Sequence, residues 1–298
     1  MTAPALQTPH MTPDTETSPI VDFWIDVMAP KFLKYRHILV GGLRHHSAAI
    51  IPGLPIRRGD RALDVGCGFG DTAIALAGRT GDRGSVLGID CVPAFVAQSW
   101  HAAEQMLIDN VSFACRDAER SLPRGEFDYV FARFGTMFFS NPVAGLRNMR
   151  KALKPGGRMT HVVWRDREAN PWLSAAREVL LTHLPRPDAT APSCGPGPFS
   201  MADKTATRAI MEAAGFRNIR FGRIDAKVLV GRTAEEAIAF QLALGPAGEI
   251  FRLAGGEAQA KRAAIEKDLH HLFDAVPKDE SGLWMDSSSW VIHADAAD

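Results

Sequence analysis

Between residues 60 and 165, short apolar runs alternate with longer segments whose apolar side chains recur at helical spacing. The runs are short and are bounded mostly by turn-forming residues, which is typical of buried strands. The segments that we interpret as strands are RALDV (61–65), GSVLGID (84–90), NVSFACRD (110–117), FDYVFARF (127–134) and RMTHVVW (158–164).

The intervening segments predict helices. One covers residues 71–79, a second begins at Pro93, and a third begins at Pro142 with Asn141 as its N-cap. Strands that are nearly all apolar and alternate with helices form parallel sheets covered on both faces. Because crossovers between parallel strands are right-handed, we expect an α/β fold with a doubly wound, mostly parallel sheet.

Outside this core, the pattern changes to helices with fewer strands. The segment FRNIRFGRID (216–225) and SSSWVIHAD (287–295) have strand patterns, and Thr233 with Glu236 predicts a capping box. We expect helical lid segments over the carboxyl edge of the sheet. The resulting division of the chain is a disordered tail (1–18), an N-terminal helical lid segment (19–59), the core (60–165), a helical lid insertion (166–215) and a C-terminal part of the core sheet with helices (216–298).

The composition excludes several classes of partner. Lys and Arg together number 34, as do Asp and Glu, so nothing favours nucleic acid as a partner. No apolar run approaches the ~18–20 residues that span a bilayer. The N-terminal residues lack the apolar and basic features of a signal peptide, which predicts a cytoplasmic protein. The four cysteines contain no Cys-x-x-Cys pair, so we expect reduced thiols and no metal site.

The stretch ALDVGCGFGDTA (62–73) predicts a ligand site between the first strand and the first helix of the core. Its glycines, Gly66, Gly68 and Gly70, form a G-x-G-x-G loop, one residue shorter than the G-x-G-x-x-G of dinucleotide sites. Asp71 opens the helix, where its charge repels a phosphate. A ligand that carries an amino group or a positive charge suits this loop better, because Asp64 precedes it.

Two further acids end the next strands. Asp90 ends the second strand, where a carboxylate can accept hydrogen bonds from both hydroxyls of a ribose. Asp117 ends the third strand, where it could accept a hydrogen bond from the exocyclic amine of an adenine ring. An adenosine with an amino-acid tail and a cationic centre is S-adenosylmethionine, which we therefore predict as the cofactor.

These motifs resemble those of class I S-adenosylmethionine-dependent methyltransferases, and look most like the bacterial small-molecule group that includes the ubiquinone/menaquinone C-methyltransferases. The resemblance rests on ALDVGCGFG, VLGID (86–90), CRDAE (115–119) and residues 127–159, in order along the chain. It implies seven strands, the last antiparallel and inserted next to the edge, with 287–295 as the candidate. The residues that we predict to bind the cofactor are Asp64, Gly66, Cys67, Gly68, Gly70, Asp90, Cys91, Asp117, Ala118 and Arg133.

Methyl transfer from a sulfonium is an in-line displacement in which the protein mainly aligns the acceptor and excludes water. Arg133, after the fourth strand, and His161, on the fifth, are the candidate catalytic residues. Arg133 either holds an anionic or carbonyl-bearing substrate or braces the loop. His161 is either a general base or a hydrogen-bonded core residue. The methyl acceptor is expected to be a small, partly apolar or aromatic molecule.

Two other functions stay open. An NAD(P)-dependent oxidoreductase would use the same kind of fold, although the glycine spacing disfavours it and no Tyr-x-x-x-Lys pair is present. A cofactor-binding module without catalysis is the second alternative, but it is expected to lose residues of its loop. The sequence does not indicate the oligomeric state.

Overall fold

Eight strands form one sheet in the computed structural model, which describes residues 18–188 and 195–296. Residues 1–17 of the predicted tail (1–18) and Cys194 lie outside the described residues. The strands are β1 (Arg61–Val65), β2 (Ser85–Asp90), β3 (Val111–Cys115), β4 (Phe127–Arg133), β5 (Leu153–Trp164), β6 (Phe216–Gly231), β7 (Lys278–Asp279) and β8 (Gly282–Ala296).

The sheet has the order β3-β2-β1-β4-β5-β8-β6, and β7 pairs only with β8. Strands β1 to β5 are parallel, as predicted. The last strand, β8, is antiparallel to both neighbours and lies between β5 and the edge strand β6. The prediction of a mostly parallel, doubly wound sheet with an inserted antiparallel last strand is confirmed.

The helices flank the sheet and extend the chain at both ends. They are α1 (Pro19–Phe23), α2 (Ala29–Lys34), α3 (Arg36–Ile50), α4 (Asp71–Thr80), α5 (Pro93–Gln105), α6 (Pro142–Ala152), α7 (Pro171–His183), α8 (Lys204–Ala213), α9 (Ala234–Ala243), α10 (Gly245–Ala260) and α11 (Arg262–Asp274). None of the helices in the described ranges is both long and apolar enough to cross a membrane.

Side-chain caps fix several helix starts that the sequence predicts. The Asn141 side chain accepts a hydrogen bond from the backbone N–H of Ala144. The Thr233 side chain accepts a hydrogen bond from the backbone N–H of Glu236. Before Pro30, the chain forms a π-helical turn over Trp24–Met28. Proline has no N–H to donate to the preceding turn, so the regular helical ladder is interrupted there.

Strands β5 and β6 differ from their predicted extents. Strand β6 continues to Gly231, six residues beyond the predicted end, because β8 pairs with it along its whole length. Strand β5 begins at Leu153, ahead of the predicted start at Arg158, and includes Gly156 at a φ of +73°. In the C-terminal part of the chain, Gly255 kinks α10, and α11 follows α10 after Lys261.

The central strands are buried on both faces. Ala62 and Leu63 in β1 and Val130 and Phe131 in β4 are fully inaccessible to solvent. Leu146 of α6 is equally buried. This burial explains why the strands read as continuous apolar runs, and it leaves only the strand ends and loops for chemistry.

Helix α3 packs closely on β6 through Gly42. A Cβ at this position would lie 2.7 Å from the carbonyl oxygen of Leu229, which belongs to the β6 backbone. The neighbouring Gly41 has no such conflict, since its nearest contact would be a Leu229 methyl at 4.0 Å.

The Gly42→Ala substitution should therefore lower the free energy of unfolding by about 1–3 kcal/mol, because the backbone of β6 must move away. Gly41→Ala is the matched control and should raise it by roughly 0.5–1 kcal/mol, since alanine favours the helix. Urea unfolding followed by circular dichroism measures both. Equal effects of the two substitutions would contradict the close packing.

Candidate active site

The loop between β1 and α4 follows the path that its glycines permit. Gly66, Gly68 and Gly70 have φ values of +69°, +54° and +81°, in the left-handed region that favours glycine. A Cβ on Gly68 would meet nothing within 4 Å, whereas a Cβ on Gly70 would lie 2.8 Å from that of Ser99. Gly68 therefore leaves room for a ligand, and Gly70 allows the loop to pack against α5.

A cavity of about 190 Å³ lies next to this loop, at the carboxyl ends of the first strands. Most of the residues that the sequence predicts for the cofactor line it: Gly66, Cys67, Gly68, Asp90, Cys91, Asp117, Ala118 and Arg133. Asp64, Gly70 and His161 do not line it. The carboxyl edge thus brings together side chains from β1, β2, β4 and their loops, as the topology requires.

Asp90 is fixed by the backbone on two sides. Its carboxylate accepts hydrogen bonds from the N–H of Gly68 and the N–H of Val92, both at 3.0 Å. Burial raises the pKa of Asp90 to about 6, although these hydrogen bonds oppose the shift. The carboxylate therefore has a fixed orientation and retains lone pairs for a ligand in the cavity.

Asp64 lies beneath the loop and is fully buried. Its Oδ2 atom accepts a hydrogen bond from the hydroxyl of Thr72 at 2.6 Å. Its Oδ1 atom has no hydrogen-bond partner among the described residues. Burial raises the pKa of Asp64 to about 7. Thr72 lines the cavity, and because its proton is directed to Asp64, its oxygen presents a lone pair rather than a donor.

Asp117 and Ala118 form the other end of the cavity. The carboxylate of Asp117 accepts the N–H of Glu119 at 2.9 Å, which holds the turn after β3. Cys91 lines the cavity beside them, and burial raises the pKa of its thiol. Cys67, Cys91 and Cys115 form no disulfide bond within the described part of the chain.

Arg133 braces the site. Its guanidinium Nη2 lies 2.9 Å from an Asp71 carboxylate oxygen, and Nη1 donates to the hydroxyl of Ser47 in α3. Only 9% of the Arg133 side chain is exposed. Of the two roles that the sequence leaves open, the structure therefore favours bracing. Ser47 is 86 residues away along the chain, and no local pattern identifies it as the partner.

His161 is not brought to the cavity. It is fully buried in β5, its Nδ1 lies 3.1 Å from the Thr136 hydroxyl, and burial lowers its pKa to about 3. Because β5 is buried on both faces, the alternation of its residues does not direct His161 to a ligand. Of the two roles that the sequence leaves open for His161, this buried position agrees with that of a hydrogen-bonded core residue.

Helices α1 to α3 form an apolar wall that sequence analysis predicted only as a lid. The residues that line the cavity from this side are Ile20, Val21, Trp24, Phe32, Leu39, Val40 and Leu43. Trp24 makes edge contacts with Phe32 and Phe138, with ring centroids 5.3 and 5.1 Å apart. The spacing of Leu39 and Leu43 by one helical turn is the sequence signal for this wall.

Phe134 forms part of the opposite wall and is held in an unusual backbone conformation. Its φ is +58°, which is rare for a bulky residue. Its ring stacks on Trp164, with centroids 3.7 Å apart, and meets the edge of His46. His46 is fully buried, with Nε2 2.8 Å from the Ser287 hydroxyl and Nδ1 3.0 Å from that of Ser289.

The second predicted lid segment lies elsewhere in the described part of the chain. Helix α7 packs against α10 and α11, and no described residue of 166–215 lines the cavity. The segment approaches the site through Ser200, whose hydroxyl donates to the Met137 carbonyl at 2.6 Å.

The strand order, the glycine loop and the acid at the end of β2 define a class I methyltransferase fold. Residues 56–183 match the model of a methyltransferase domain family. The solved structures agree in fold. The YcgJ protein from Bacillus subtilis has a TM-score of 0.56 at 17% identity and covers 85% of this chain and 99% of its own. Haemonchus contortus phosphoethanolamine N-methyltransferase 2, in complex with S-adenosyl-L-methionine, has a TM-score of 0.55 at 14% identity over 95% of this chain and 61% of its own.

Among curated proteins, this chain is 33% identical over 144 residues to the aklanonic acid methyltransferase DauC of Streptomyces sp. (strain C5). The alignment covers 44% of this chain and 64% of DauC. It is 35% identical over 109 residues to the demethylmenaquinone methyltransferase of Staphylococcus aureus (strain JH9), covering 36% of this chain and 44% of that protein. The chain thus spans less than two thirds of the length of either relative.

The raised pKa of Asp64 predicts a pH dependence of stability. Between about pH 4 and pH 7, the carboxyl ionises in the unfolded chain but stays protonated in the folded protein, so stability falls as pH rises, by at most about 1.4 kcal/mol per pH unit. Asp64→Asn should show a smaller fall, because only Asp90 and the other groups then contribute. Urea unfolding of both proteins across this range measures the difference, and identical slopes would contradict it.

Proposed function

We propose that this protein is an S-adenosylmethionine-dependent methyltransferase that acts on a small, partly apolar or aromatic molecule by in-line methyl transfer. The observation that carries the proposal is the fixed Asp90 carboxylate beside the open position of Gly68, at the edge of a methyltransferase domain. Supporting it, two relatives are named for the small molecules aklanonic acid and demethylmenaquinone.

The residues around the cavity fit the parts of the cofactor. Asp90 accepts hydrogen bonds from the ribose hydroxyls. It uses the lone pairs that its hydrogen bonds with the backbone leave free. Asp117, Ala118 and Cys91 lie beside the adenine. The lone pair of Thr72, whose hydroxyl proton is directed to Asp64, suits the ammonium group of the amino-acid tail, so that Asp64 acts on the cofactor through Thr72.

When bound, the cofactor supplies the methyl group and a neutral thioether leaving group. The protein's own residues align the acceptor and exclude water. Arg133 and Asp71 hold the end of β4, the start of α4 and α3 together, so that the two walls keep their separation. We assign Arg133 a positioning role and His161 no contact with the acceptor.

The acceptor side of the cavity is apolar. Trp24 and Leu43 from the N-terminal helices and Phe134, Phe138 and Phe139 from the segment after β4 face the same space. Burial of a planar apolar molecule between these side chains contributes roughly 25 cal/mol per Å² of apolar surface. An apolar or aromatic acceptor is therefore favoured over a strongly charged one. A cytoplasmic location remains a prediction from composition.

Cofactor binding is tested by thermal unfolding with three ligands. S-adenosylmethionine and S-adenosylhomocysteine should raise the melting temperature, whereas NAD should not, since a ligand that binds only the folded state stabilises it. Stabilisation by NAD alone would favour the oxidoreductase alternative. Binding of S-adenosylmethionine without methyl transfer to any apolar acceptor would favour the non-catalytic module.

Gly68→Ala tests the approach of the cofactor to the loop. We expect affinity for S-adenosylhomocysteine to fall by at least about tenfold, because the new methyl group enters the cavity at a cost of about 1.4 kcal/mol or more. Gly125→Ala is the matched control, since Gly125 also has a positive φ of 64° and open space around its Cβ. Calorimetry should show unchanged affinity for the control, and an equal loss in both variants would contradict the assignment.

Asp90→Ala should weaken binding of S-adenosylhomocysteine by about 1–3 kcal/mol, because the ribose hydroxyls lose a charged acceptor. Asp90→Asn keeps one acceptor oxygen, so its affinity for S-adenosylhomocysteine should lie between that of Asp90→Ala and that of the wild type. Calorimetry and urea unfolding together separate loss of binding from loss of folding. Unchanged affinity in a folded Asp90→Ala variant would exclude the ribose contact.

A further inference from the structure

A second cavity, of about 240 Å³, lies at the opposite edge of the sheet, away from the methyltransferase site. It is formed where β4 and β5 begin, and the loop after α3 contributes Gly53 and Pro55. Its polar side chains are those of Tyr129, Arg158, Thr160, Arg220, His293 and Asp295. None of these residues is used in the proposed methyl transfer.

Strand register places these side chains on one face of the sheet. His293 in β8 is directly opposite Thr160 in β5 on one side and Arg220 in β6 on the other. Arg158 lies two residues before Thr160, and it is the register partner of Tyr129 in β4. Because side chains alternate between faces with a period of two, all of them project to the same side.

A chain of hydrogen bonds determines which ring nitrogen of His293 carries the proton. The Tyr129 hydroxyl lies 2.5 Å from Thr160 Oγ1, which lies 2.6 Å from Nδ1 of His293. A phenol is the stronger donor of the first pair, and its buried proton has no other acceptor among the described residues. Tyr129 therefore donates to Thr160, and Thr160 donates to Nδ1 of His293. The ring proton of neutral His293 is then on Nε2.

The charges around His293 are mainly positive. Arg158 and Arg220 are exposed, and neither forms an ion pair with a described residue. The one acid of this cavity, Asp295, accepts a hydrogen bond from Asn218 at 2.9 Å. In the adjoining cavity Asp128 is paired with Lys154 at 2.7 Å, and Asp60 accepts the backbone N–H of Arg57. Burial and then the charge of Arg220 lower the pKa of His293.

We propose that this cavity binds a small oxyanion, held by the guanidinium groups of Arg158 and Arg220 and by the Nε2–H of His293. Each of these groups donates hydrogen bonds, and guanidinium groups bind phosphate and carboxylate through paired donors. The site lies at the amino ends of the strands, so the anion is bound separately from the methyl donor and acceptor. Phosphate and carboxylate groups share the required chemistry.

The test uses nuclear magnetic resonance of the histidine rings in the full chain, with the His293 signals assigned from their loss in His293→Gln. Inorganic phosphate and acetate are added in separate titrations, with sodium chloride keeping the ionic strength constant. We expect a saturable shift of the His293 ring signals with at least one of the two anions, and Nε2 as the protonated nitrogen. Absence of saturation with both anions would overturn the proposal.

Three arginine variants provide the controls. Arg158→Gln and Arg220→Gln should each weaken binding by at least about tenfold, since each removes charge-assisted hydrogen bonds. Arg223→Gln should leave it unchanged, because Arg223 lies on the same strand as Arg220 but is paired with Asp225 at 2.7 Å. Equal weakening by all three variants would indicate general surface charge and would also overturn the proposal. Affinity for S-adenosylhomocysteine should not change in any variant, so the outcome is independent of the proposed methyl transfer.

Discussion

A single buried guanidinium group joins the parts of the chain that enclose the candidate site. Arg133 ends β4, pairs with Asp71 in the first turn of α4 and donates to Ser47 in α3. When one member of a buried ion pair moves away, the other charge stays buried without a partner, which is costly. The glycine loop and the apolar wall of α3 therefore keep their positions relative to the sheet as one unit.

The electrostatic character of the cavity follows from carboxylates that are held away from water. Burial raises the pKa of both Asp64 and Asp90, so each gains from a nearby positive charge or hydrogen-bond donor. Helix α4 begins with Asp71, which further disfavours a phosphate at this position. These constraints explain physically why the loop fits a ligand with an ammonium group and a sulfonium centre better than a dinucleotide.

The sequence predicted the parts of the fold that depend on local pattern. Strands β1 and β4 are buried almost throughout, so their apolar runs located them closely, and the glycine loop and Asp90 followed from their spacing. Contacts between distant segments were not predictable. Ser47 meets Arg133 only after α3 has packed on the sheet, and His161 gave no signal of its burial because both faces of β5 are covered. Strand β6 extends beyond its pattern because β8 supplies the hydrogen bonds.

Among the strands of residues 18–188 and 195–296, the sheet ends at β6, a strand of 16 residues whose backbone pairs with β8. Its first ten residues are mostly solvent-exposed and include Arg217, Arg220, Arg223 and Asp225. A long strand with unpaired backbone groups is a template for other chains, and charged side chains along it oppose such association. The arginines of β6 thereby protect a concentrated solution of this protein against edge-to-edge aggregation, whatever ligand the neighbouring cavities hold.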